Sequence, residues 1–98
     1  MEMKDGAPEL RREMAETLAV EALGYIAGEP ETLGRFLAAS GLGPATLRRA
    51  AADPQFLAGV LDFVLADETL LLAFAGRTGI EPGNIAKARR AFGGMEEA

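Results

Sequence analysis

Three carboxylates, Asp62, Asp67 and Glu68, form the tightest acidic group in this sequence. Carboxylates can transfer protons or bind Mg²⁺, so this group is the first place to look for a reactive site. Helix capping accounts for Asp67 and Glu68, because both stand where a helix is expected to begin. Asp62 interrupts an apolar stretch, and burying it unpaired would be costly. We therefore predict that it pairs with an arginine, such as Arg35, Arg49 or Arg77, or with free helix N–H groups, and a functional carboxylate is the alternative.

Other kinds of catalytic and metal chemistry are excluded by composition. The sequence contains no histidine and no cysteine, so it offers neither an imidazole base nor a thiolate nucleophile. Its lone serine, Ser40, precedes Gly41, where a role at a helix end is expected. Carboxylates alone are poor ligands for Zn²⁺. We predict no catalytic residue, no metal site and no cofactor, and hence that the protein is not an enzyme.

Helix boundaries can be predicted from proline and glycine. Prolines at positions 8, 30, 44, 54 and 82 predict five helix starts, because proline has a helical φ and lacks the N–H that would be unpaired there. Asp67 can cap the first turn of a helix and therefore predicts a sixth helix start. Glycines at positions 28, 41, 79 and 93 predict helix ends with a positive φ. The predicted helices are 8–27, 30–40, 44–52, 54–66, 67–77 and 82–92.

One helix–turn–helix pattern occurs twice. The segment Ser40-Gly41-Leu42-Gly43-Pro44-Ala45-Thr46-Leu47 returns 78 − 40 = 38 residues later as Thr78-Gly79-Ile80-Glu81-Pro82-Gly83-Asn84-Ile85. The helix at 54–66 is apolar around nearly its full circumference, which is typical of a buried helix. The predicted fold is all-α, a compact single-domain bundle of about six short helices with two hairpins around this central helix. Residues 1–7 and 94–98 are predicted to be flexible termini.

Apolar residues outside the main stripes suggest a surface for a partner. On the first helix the predicted inward stripe comprises Leu10, Met14, Leu18, Ala22, Tyr25 and Ile26. Val20 and Leu23 project away from that stripe. Leu70, Leu71 and Leu72 point in three directions around the fifth helix. The candidate interaction surface is therefore Val20, Leu23 and Leu71.

Nucleic-acid binding is the alternative. The second hairpin resembles DNA-binding helix–turn–helix units in having Ala75, Gly79, Ile80 and Ile85 at the small, turn and core positions. Its second helix carries the candidate contacts Asn84, Lys87, Arg89 and Arg90. The net charge of −5 supplies no general attraction to phosphates, and base readout needs long polar side chains at the helix start, where only Asn84 qualifies. Nucleic acid is therefore an unfavoured partner.

Membrane and secreted locations are also not favoured. The most apolar stretch, 56–75, is interrupted by Asp62, Asp67 and Glu68, and the N-terminal residues lack the basic and apolar run of a signal peptide. The absence of cysteine excludes a disulfide framework. We expect a cytoplasmic protein that does not enter the membrane.

Several segments together resemble an uncharacterised bacterial family, domain of unknown function 3572. They are Glu31-Thr32-Leu33-Gly34-Arg35-Phe36-Leu37, Ser40-Gly41-Leu42, Leu47-Arg48, Asp53-Pro54-Gln55-Phe56-Leu57 and 60–68. The similarity covers about residues 15–93, and Glu29 stands where the family pattern has an aspartate cap. The resemblance implies a short helical cytoplasmic bacterial protein with no assigned activity and no catalytic residues to transfer.

The favoured hypothesis for function follows from these observations. We expect a non-enzymatic protein-interaction module whose partner is another protein or a second copy of the chain. A helix–turn–helix unit that binds nucleic acid through residues 82–92 is the alternative.

Overall fold

The structure is a computed structural model and describes residues 8–93. It has six helices: α1 (Pro8–Ala27), α2 (Pro30–Ser40), α3 (Pro44–Ala50), α4 (Pro54–Leu65), α5 (Glu68–Thr78) and α6 (Pro82–Ala91). No strand occurs between residues 8 and 93, which confirms the predicted all-α fold. The predicted flexible termini lie outside the described residues.

All six helix starts are where the sequence predicts them, within one residue. Each of the five prolines occupies the first residue of a helix. Asp53 caps α4, because its Oδ1 accepts a hydrogen bond from the N–H of Gln55 at 3.0 Å. Asp67 caps α5 in the same way, with its Oδ1 accepting from the N–H of Leu70 at 3.2 Å. Glu29 precedes α2 without a capping bond from its side chain. The starts therefore follow from interactions within a single turn.

The repeated pattern produces two nearly identical helix ends. Gly41 has φ 75° and ψ 10°, and Gly79 has φ 75° and ψ 13°. Each donates its N–H to the carbonyl four residues earlier, at 2.9 and 2.8 Å. The Oγ of Ser40 accepts from the N–H of Leu42 at 3.3 Å, so this serine acts at a helix end as predicted. The prediction of a positive φ at Gly28 is wrong. Helix α1 ends there without it, and the N–H of Gly28 donates to the carbonyls of Gly24 and Tyr25.

Gly76, inside α5, and Gly79, which directly follows α5, are expected to respond to alanine in opposite directions. At Gly79 the positive φ disfavours any side chain, so Gly79→Ala should lower the free energy of unfolding by about 1–2 kcal/mol. At Gly76, inside the helix, a Cβ would meet no atom within 4 Å. Gly76→Ala should therefore raise the free energy of unfolding by about 0.4–1 kcal/mol. Urea unfolding of both variants checks this. Changes of the same sign would contradict the assigned helix end.

The core forms where α4 meets α1, α5 and α6. Val60, Leu61 and Val64 of α4 are almost completely buried. The prediction of a buried central helix is confirmed, although α4 is exposed on one side, at Gln55, Gly59 and Asp62. These three residues are polar or lack a side chain, so leaving them exposed forgoes little apolar burial.

The two hairpins have different environments despite their similar sequences. The α5–α6 hairpin packs against α4, and α6 also packs against α1. Consequently Phe74 and Ile85 are fully buried. In the α2–α3 hairpin, Phe36 is buried, but α3 buries none of its residues and Leu47 is only partly covered. The repeat therefore preserves the local turn but not the burial of the second helix.

Candidate functional site

The side of α1 that faces the core matches the predicted stripe only in part, at Leu18, Ala22 and Ile26. Met14, predicted to face inward, is 64% exposed, and Leu23, predicted to face outward, is 8% exposed. The buried residues of α1 are Ala15, Leu18, Ala19, Ala22, Leu23 and Ile26. The small alanines allow α2, α4 and α6 to approach α1 closely. The alanine side of α1 therefore faces the core, and Met14, on another side of the helix, faces solvent. Hydrophobicity favours methionine over alanine in the core, and here helix packing outweighs it.

The predicted interaction residues do not form a single apolar surface. Val20 is exposed as expected, Leu23 is buried, and Leu71 is partly buried against the core. Val20 and Leu23 line a shallow groove beside Pro44 and Leu47, and Leu71 lies on α5. The exposed leucine of α5 is Leu72, at 53%. Leu23 is thus largely covered, although it lines this groove.

A larger groove lies between α1 and α6, with a volume of about 760 Å³. Its apolar lining consists of Met14, Leu18, Ile80, Ala88 and Ala91. Its polar lining consists of Arg11, Thr17, Glu21, Asn84 and Lys87. Because Ala88 and Ala91 have short side chains, they leave the space between the two helices open. The result is an apolar channel with polar edges.

The groove has a defined direction. Arg12, near the start of α1, lies over the ring of Phe92, the residue that follows α6, with 5.6 Å from Cζ to the ring centroid. The two helices therefore run in opposite directions along the groove. Met14 lies toward the Phe92 end, Glu21 and Ile80 lie toward the other, and Lys87 lies near the middle.

The predicted nucleic-acid contacts are distributed over different surroundings. Asn84 and Lys87 line the groove, and Arg90 is exposed. The Arg89 side chain is only 11% exposed, and its Nε donates to Asp62 Oδ1 at 2.7 Å. Its Nη1 also donates to the carbonyl of Gly93 at 2.9 Å. Arg89 is therefore occupied by contacts within the protein.

The prediction that Asp62 pairs with an arginine is confirmed, but that arginine is none of the three named as examples. Asp62 pairs with Arg89 of α6, whereas Arg35 pairs with Asp67 at 3.2 Å and Arg77 lies over the ring of Tyr25. The three proposed arginines are all remote from Asp62 in sequence, as Arg89 is, so spacing could not distinguish among them. The pair joins α4 to α6 at the surface and gives Asp62 a structural role.

Asp67 combines a cap with an ion pair. The hydrogen bond from the N–H of Leu70 and the nearby Arg35 guanidinium hold the pKa of Asp67 below its ordinary value. Both interactions favour the charged carboxylate. The lowered pKa therefore means that ionised Asp67 stabilises the folded state.

This stabilisation should disappear in acid. A carboxyl with a lower pKa in the folded state contributes fully above its unfolded pKa, about 3.9, and loses that contribution as the pH falls through the folded value. Asp67→Asn should therefore be less stable than the wild type near neutral pH and should approach it below about pH 3. Urea unfolding across this range checks the prediction. A difference independent of pH would show that the charge of Asp67 is unimportant.

The described part of the chain provides no metal cluster. Within residues 8–93 no three carboxylate side chains converge in a way that could hold an ion. None of the described helices has the length and apolar character needed to cross a membrane.

The groove itself was missed at the sequence level, although a signal for it exists. Alanines at positions 15, 19 and 22 recur at helical spacing and mark the side on which α1 is closely packed. If these alanines are taken as the buried side of α1, Met14 falls on an exposed side of the helix. Its position beside Lys87 depends on the packing of α6, which is remote in sequence.

Comparison with known proteins identifies the family without a function. No curated protein and no solved structure matches the chain significantly. A family model described as "Protein of unknown function (DUF3572)" matches residues 12–95, which include α6 and all but the first four residues of α1. The match extends over most of the chain. The chain therefore belongs to the DUF3572 family.

Proposed function

We propose that this chain is a non-enzymatic, cytoplasmic protein-interaction module that binds an α-helix in the α1–α6 groove. The observation that carries the proposal is Met14, a large apolar side chain left 64% exposed at the edge of an open apolar channel. Grooves of this kind bind the apolar face of an amphipathic helix. The lack of cysteine is compatible with the reducing cytoplasm.

The length of the groove suits a short helix. Residues 11–21 of α1 and the ten residues of α6 form its walls. Ten residues of helix extend about 15 Å, so the groove can accommodate about three turns of a bound helix. Such a helix would place apolar side chains three or four residues apart along the channel. Methionine suits this position because its flexible side chain adapts to different surfaces.

Site-specific cross-linking tests the proposal. The chain has no cysteine, so Met14→Cys or Leu72→Cys creates a single thiol to which a benzophenone can be attached. The labelled protein is irradiated alone and in extract of the native cell, and the adducts are identified by mass spectrometry. We expect a defined protein adduct from position 14 and none from position 72, which is similarly exposed but lies on α5.

Purified components then provide the decisive measurement. The protein identified is titrated with the wild type, with Met14→Glu and with the matched control Leu72→Glu. Saturable binding that Met14→Glu abolishes and Leu72→Glu preserves supports the proposal. Equal adducts from both positions, or binding that is insensitive to Met14→Glu, would show that the groove is not the binding surface.

A further inference from the structure

We propose that the helix bound in the groove is α1 of a second copy of this chain, so that two copies form an antiparallel dimer with two-fold symmetry. This inference rests on the proposed function and names its partner. It is carried by the distribution of charge along the groove.

Opposite charges lie at different points along the groove. Lys87 lies near the middle, on the side of Met14, and Glu21 lies at the other end. Among residues 8–93, Lys87 and Glu21 form no ion pair with each other or with another side chain. Each subunit therefore presents one cation and one anion at separate points beside the same apolar channel.

A two-fold axis makes this arrangement complementary to itself. With the axis beside Thr17, Lys87 of one subunit can reach Glu21 of the second copy, and the same pair occurs again on the other side of the axis. A parallel arrangement would instead place Glu21 of the two copies beside each other and away from Lys87. The charges thus select both the partner and its direction.

The exposed face of α1 has a suitable shape for this contact. Met14, Thr17, Glu21 and Gly24 follow one another at intervals of three or four residues, so they share one side of the helix, and all four are exposed. A Cβ at Gly24 would meet no atom within 4 Å, so the surface is open there. In the antiparallel pair the glycine end of one α1 lies opposite the Met14 end of the other. The absence of a side chain at Gly24 allows the two helices to approach closely.

The overall charge does not prevent this association at physiological salt. Each copy has a net charge of −5, which causes repulsion over long distances. At about 0.15 M ionic strength the screening length is about 8 Å, so separated charges interact weakly and opposite charges in contact retain their attraction. The dimer should therefore be measured at this ionic strength.

Sedimentation velocity of the full chain, at concentrations up to about 1 mM, measures the association. We expect the wild type to form dimers. Lys87→Glu and Glu21→Lys should each weaken dimerisation by about tenfold or more, because symmetry introduces each change at two pairs. Leu72→Glu should have no effect, and thermal melting by circular dichroism shows that every variant is folded.

Mixing the two charge variants provides the sharpest test. A heterodimer of Lys87→Glu with Glu21→Lys contains two pairs of opposite charge, whereas each variant alone contains only pairs of like charge. The mixture should therefore dimerise within about threefold of the wild-type affinity, and neither variant should do so alone. An ion pair within one subunit could not produce this rescue.

The outcomes separate this inference from the proposed function. A wild type that remains monomeric at about 1 mM, or a mixture that stays monomeric while the wild type dimerises, overturns the dimer. If cross-linking from position 14 then identifies a different protein, the interaction module stands with that protein as its partner. If position 14 forms no adduct with any protein, the proposed function also fails.

Discussion

Replacing Phe74 by alanine is expected to lower the free energy of unfolding by about 3–5 kcal/mol. Phe74 is 1% exposed, and its ring lies 5.6 Å from that of Tyr25. The truncation removes apolar contacts and leaves a cavity that neighbouring helices can only partly fill. Because small proteins are stable by only about 5–15 kcal/mol, this loss is a large part of the total.

Urea unfolding followed by circular dichroism measures the effect, and Leu72→Ala is the matched control. Leu72 lies on the same helix but is 53% exposed, so its truncation should change stability by less than about 0.5 kcal/mol. Similar losses for the two variants would contradict the assigned orientation of α5.

A second large effect is expected at Ile85, which is fully buried on α6. Ile85→Ala should lower the free energy of unfolding by about 2–5 kcal/mol, whereas Leu47→Ala should lower it by less than about 1 kcal/mol. The two residues are equivalent in the repeat, since 47 + 38 = 85. Leu47 lies on α3, which buries no residue, and α6 is packed against α1 and α4.

The same unfolding measurement, carried out on both variants in one buffer, tests this difference. It examines whether the two hairpins contribute equally to the core. Equal losses at positions 47 and 85 would mean that α3 is as firmly packed as α6, contrary to the structure.

Stability and binding can be studied separately in this protein. Met14 and Lys87 are exposed at the groove, so changing them should disturb the interaction with little effect on the core. Phe74 and Ile85 are buried and lie outside the groove lining. A variant that is fully folded but does not associate is therefore attainable, and it is the control that the binding experiments require.

The failures of sequence-based prediction concern contacts between distant residues. Leu23 was predicted to be exposed and Met14 buried because their helix was considered alone. Asp62 was predicted to pair with an arginine, and the approach of α6 to α4 selects Arg89 as that arginine. The groove depends in the same way on how α6 lies beside α1. The alanines of α1 indicate which side of that helix is packed, but nothing within one helix indicates the ion pair or the position of α6.

Helix positions could be predicted from the sequence because their causes are local. A proline, an aspartate cap or a glycine with positive φ acts on the backbone within about one turn. The burial of one face of α1, the unequal environments of the repeated hairpins and the open channel at Met14 arise from the packing of helices that are far apart in the chain. Whether a residue is buried depends on all the helices that pack around it, so these features are decided only by the tertiary structure.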